Sequence, residues 1–129
     1  MSTAQLHILI AWGAMLLGAV AGAVGGLFFH NDEWAGGYTS FRRRMLRLGH
    51  ISFFGLGFIN LLFGLTLQAI TLPASNTSVA SAGFLAGVIT MPLSCFLAAW
   101  KKSFRHLFPV PVLSVLIGII AILLGWSSS

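Results

Sequence analysis

The stretch "RRRMLRLGHISFFGLGFINLLFGLTLQ", residues 42–68, decides the class of this chain. It opens with clustered arginines and turns into an apolar run with no further charge. His50 sits at the junction, and Asn60 lies deep inside the run. About 20 apolar residues are needed to cross a hydrocarbon core about 30 Å thick. This segment reads as a membrane helix with a basic foot.

The rest of the chain agrees. Of its 129 residues, 57% are hydrophobic and only 7% charged, with a mean hydropathy of +0.96. A soluble domain carries about 25% charged residues. So little charge cannot cover a water-facing surface, which leaves an all-α integral membrane protein of one domain, residues 1–129. Four spans are expected, at about 6–29, 48–72, 79–100 and 110–126. The first starts in a segment without Lys or Arg, so it reads as a retained span rather than a signal peptide.

All seven Lys and Arg residues fall in two segments. Arg42, Arg43, Arg44 and Arg47 precede the second span; Lys101, Lys102 and Arg105 follow the third. By the positive-inside rule both basic loops are cytoplasmic and both termini outside. That orientation suits a bacterial inner membrane. It also explains the net charge of +5 without nucleic acid. Trp12, Trp34, Trp100 and Trp126 read as interfacial belt residues. "NTS" at 76–78 matches a glycosylation sequon but lies in a short loop close to the membrane.

Helices in lipid associate through close packing on small residues and through polar contacts. Gly18, Gly22 and Gly26 form such a row in the first span, with Ala14 and His30 extending it. Gly57, Asn60 and Gly64 serve the second, Gly83 and Gly87 the third, and Ser114 and Gly118 the fourth. Asn60 reads first as interhelical glue. Pro92 removes a backbone hydrogen bond within the third span, predicting a kink with Thr90 or Ser94 satisfying the freed group.

The chemical candidates are few. His50 lies about 15 Å along the helix from Asn60. With Arg43 and Arg47 on its side, it fits contact with a lipid phosphate; Lys101 and Lys102 are further headgroup candidates. A sharper reading makes His50 an axial ligand of haem b, or a quinone ligand, with His30 or His106 as its partner at similar depth. His7 lies at the other end and cannot share that site. A metal site from His30, Asp32, Glu33, His50 and His106 matches no ligand spacing. Met91 and Cys95, four apart, are soft Cu(I) ligands in principle and ordinary core fillers in practice. The single cysteine excludes an internal disulfide.

No acid lies within any span. Small multidrug resistance transporters have similar length and span count, but depend on a membrane glutamate that is missing here. No nucleophile–base pair, phosphate loop or HExxH pattern is present. The expectation is a four-helix membrane bundle without catalysis of its own and with no resident cofactor. It would be an accessory subunit or assembly partner in contact with lipids and other integral-membrane subunits. A b-haem or quinone-binding electron-transfer subunit is the alternative, and a small transporter ranks below both.

Overall fold

The computed structural model describes residues 1–127. Four helices run through it: α1 (Thr3–Gly26), α2 (Phe41–Ala69), α3 (Ala74–Trp100) and α4 (Pro109–Trp126). Each is long and apolar enough to cross a membrane. Short 3₁₀ turns at Trp34–Gly36 and Lys102–Leu107 lie between α1 and α2 and between α3 and α4.

Local chemistry sets the helix starts. Ser2 and Gln5 form a capping box on α1, each side chain bonding the other's backbone N–H at 3.2 and 2.9 Å. Ser40 caps α2 by accepting from the Arg43 N–H, while its hydroxyl donates to the Ala35 carbonyl at 2.6 Å. This cap starts α2 at Phe41 rather than at 48. The basic foot is therefore helical, because apolarity marks where lipid begins and not where the helix does. Likewise α3 starts at Ala74 rather than 79, directly after Pro73. α1 ends at Gly26 rather than 29.

The bundle is open. α2 and α3 form its central pair, α1 packs on α2, and α4 packs on α3. Half of α3's apolar stretch (50%) is buried, against 17% for α1 and for the last helix with its preceding turn, so the outer pair presents broad apolar faces. Phe63, Ala80, Phe84 and Ala121 make one core cluster; Ala14, Leu56 and Val88 make another. Both basic segments meet at one end of the molecule. There the Arg42 Nε donates to the Ala99 carbonyl at 3.0 Å, and the Lys102 ammonium lies 5.2 Å from the Phe41 ring.

Missing side chains set the helix spacing. A Cβ on Gly83 would lie 2.5 Å from the Ser114 carbonyl oxygen, and one on Gly64 would lie 2.9 Å from that of Ala4. Gly18, Gly57, Gly87 and Gly118 also receive a neighbouring helix closely. Gly26 does not: nothing lies within 4 Å of its would-be Cβ. A row at every fourth residue turns about 40° per step around the helix, so its far end leaves the contact face.

α3 remains helical through Pro92. The Thr90 hydroxyl bonds the Ala86 carbonyl at 2.6 Å, not that of Val88, which Pro92 leaves without its helical donor. The sequon residue Asn76 falls in the first turn of α3 and donates its amide to the Ala121 carbonyl at 2.9 Å, fastening α4.

Candidate functional site

Two histidines connect α1 to α2, at opposite ends of their contact. His7, to which the sequence reading gave no role, is fully buried (0% exposed) and joins three helices. Its Nδ1 lies 2.6 Å from Asn60 Oδ1 on α2, and its Nε2 lies 2.8 Å from Ser81 Oγ on α3. The Asn60 amide nitrogen donates to the Leu56 carbonyl at 2.8 Å and, more weakly, to that of Phe84 at 3.5 Å. Asn60 Oδ1 is therefore an acceptor, and His7 Nδ1 carries the proton. In the neutral ring, Nε2 then accepts from the Ser81 hydroxyl. The Phe63 ring meets the imidazole edge-on at 4.7 Å. Asn60 thus bonds across to α1, with His7 as its partner there.

Hydroxyl, imidazole and amide stand here in the order of an acyl-transfer triad. The surroundings do not supply the rest. None of the cavities described below is lined by Ser81 or His7. Ser81 also lies inside α3, where backbone N–H groups are engaged in helical bonds and cannot hold an oxyanion. The arrangement fastens helices.

His50 is different. Its Nδ1 donates to the Gly18 carbonyl of α1 at 2.8 Å. Gly22 makes this approach possible, since a Cβ there would lie 2.5 Å from the His50 Cε1. Nε2 has no protein partner among the described residues. The ring borders a cavity of about 360 Å³ walled by α1, α2, Phe96 of α3 and the segment after α1. Phe28, Phe29 and Trp34 supply that segment's share; Phe28 and Trp34 stack at 5.4 Å. Only His50 and Trp34 bring polar side-chain atoms to the wall.

Arg43 holds this roof. It was expected at a lipid headgroup but is only 4% exposed. One terminal nitrogen donates to the Asn31 and Asp32 carbonyls at 3.2 and 3.3 Å, the other to that of Phe29 at 3.1 Å. The Phe29, Trp34 and Tyr38 rings surround its guanidinium at 5.1–5.8 Å. These carbonyls follow the C-terminal end of α1, where positive charge is favoured. The segment is held in an uncommon shape, with positive φ at Ala35 (55°), Gly36 (85°) and Gly37 (93°). Arg47 is half-buried, donates to the Tyr38 carbonyl at 3.1 Å and lies 4.2 Å from the Tyr38 ring. With Phe29, Asp32, Tyr38 and Arg43 it lines a second recess of about 350 Å³.

The other candidates do not converge. His30 and His106 are exposed, and neither lines the cavity beside His50. No group of three or more His, Cys, Asp or Glu side chains comes together among the described residues. Cys95 is buried against Gly49, and Met91 packs beside Val88 and Leu56 as filler. Lys101 and Lys102 are exposed. Trp12 faces outward from mid-helix and borders an apolar groove of about 710 Å³ between α1 and α3, together with Leu9, Gly13, Leu16, Phe53 and Ile89.

No family model matches the chain, and no curated protein or solved structure shows significant similarity to it.

Proposed function

We propose that this chain is a small integral-membrane accessory subunit, an assembly partner within a larger membrane complex, without catalysis of its own. The observation that carries the reading is the α1–α3 groove. It is apolar, walled by large side chains such as Leu9, Leu16, Phe53 and Ile89, with open space at Gly13. In lipid, where burying apolar surface gives little drive, the gap at Gly13 lets another helix approach closely and gain packing contacts against those walls. His7, Asn60 and Ser81 are engaged with one another across three helices, which suits a fastening role for them.

The positive-inside rule places the shared basic end in the cytoplasm and both termini outside, as in a bacterial inner membrane. Lys101, Lys102 and Arg47 would then lie at the level of anionic headgroups. A photo-crosslinking residue at Leu16, in the groove, tests the assignment in native membranes, with one at the exposed Leu123 as the control on α4. Protein adducts at Leu16 and lipid adducts at Leu123 are expected. A lone 13.8 kDa species after gentle solubilisation, with lipid adducts at both Leu16 and Leu123, would overturn it.

A further inference from the structure

We infer that the cavity beside His50 is a binding site for a lipid-soluble hydroquinone and selects it over the oxidised quinone. This goes beyond the accessory role and does not depend on it. The ligand class follows from three observations.

The first is the hydrogen-bonding state of His50. Because Nδ1–H is given to the Gly18 carbonyl at 2.8 Å, the neutral ring offers Nε2 only as an acceptor. A histidine oriented by a backbone carbonyl in this way is prepared to receive a ligand at its other nitrogen. The partner must bring a hydrogen. The phenolic O–H of a hydroquinone does; a quinone carbonyl sets one acceptor against another.

The second is the wall. Phe28, Phe29, Trp34 and Phe96 line a cavity otherwise built from aliphatic residues and glycine. Aromatic rings favour offset or edge-on contact with another ring. The volume of about 360 Å³ falls at the small end of ligand sites, enough for one substituted ring while an isoprenoid tail leaves along the bundle.

The third is what the wall lacks. A six-coordinate haem needs a second axial ligand facing His50. The wall holds no second histidine, methionine, cysteine or tyrosine. It also holds no lysine, arginine or carboxylate to recognise an ionic headgroup.

The test compares ubiquinol carrying one isoprene unit, kept reduced, with its quinone, by calorimetric titration of the full chain in detergent micelles. The reduced form should bind at least about tenfold tighter, since the quinone sets its carbonyl against the half-buried Nε2 acceptor. His50→Asn is the discriminating variant. Its amide N–H can replace Nδ1–H toward Gly18, and its shorter side chain leaves no acceptor at the position of Nε2, so the preference for the reduced form should disappear with the unfolding midpoint held. Leu46→Trp, which fills the cavity from another wall, should abolish binding of both forms; it keeps the test open if His50→Asn does not fold. Equal affinity for the two redox forms, tighter binding of the quinone, or undiminished binding by Leu46→Trp would each overturn the inference. So would formation of a haem complex with a Soret band that is lost in His50→Asn.

Discussion

His7 and His50 both bridge α1 and α2, yet they do opposite things. The His7 imidazole has both nitrogens occupied, lines none of the cavities described above, and bonds an Asn60 amide that is itself engaged. The His50 imidazole has one nitrogen occupied, aromatic walls and an adjoining void. A polar group whose bonding is complete can only hold. One left half-bonded beside empty space can also receive. Residue type does not separate these roles, and neither does burial alone; the count of unused donors and acceptors does.

The sharpest way to break this contrast is to remove each ring in turn. His7→Ala deletes two interhelical bonds and strands Asn60 Oδ1 in an apolar interior. Unfolding in mixed micelles should register a loss of about 2–3 kcal/mol. His50→Ala removes one bond at a cavity edge and should cost about 0.6 kcal/mol. Equal losses would mean that the two sites are fastened alike.

A smaller effect separates the glycines beneath the two histidines. A methyl on Gly64, near the His7 end, meets the Ala4 carbonyl and the Ile8 side chain, and backbone cannot step aside. Gly64→Ala should therefore cost about 1–3 kcal/mol in the same assay. A methyl on Gly22 meets the His50 ring first, a side chain with a void to move into. Gly22→Ala should cost less than Gly64→Ala and should weaken hydroquinone binding instead.

The smallest expected change lies in the roof. Ala35 holds a left-handed conformation that glycine adopts without penalty. Ala35→Gly relieves that strain but loosens the unfolded chain, so the net gain should stay under about 1 kcal/mol. A loss larger than that in thermal unfolding would show that the Ala35 methyl itself packs the roof.

Much of this was readable in advance. The apolar runs and their basic flanks place four helices, and small-residue spacing points to the tight contacts at Gly18, Gly57, Gly64, Gly83 and Gly118. Asn60 stands out because a lone amide in an apolar run needs a partner. That partner was harder to see. His7 lies near the start of a helix, where a histidine reads as interfacial, and no single-helix pattern says what a face will meet. The signal was present all the same: Ala4, His7, Ala11, Ala14 and Gly18 are the buried face of α1, so the small-residue row runs back into the histidine. Arg43 was misplaced for a different reason. Arginines in one basic foot look alike by composition, and only the fold of the segment after α1 shows which of them turns inward.

The grip of Arg43 on three carbonyls within four residues of chain has a bearing on how this protein can vary. Its planar fork reaches the carbonyls of Phe29, Asn31 and Asp32 together, and a compact ammonium cannot satisfy them in that geometry. In descendants of this sequence, exposed Arg44 can drift to lysine with little consequence. At position 43 the same charge-preserving exchange would let the roof come loose.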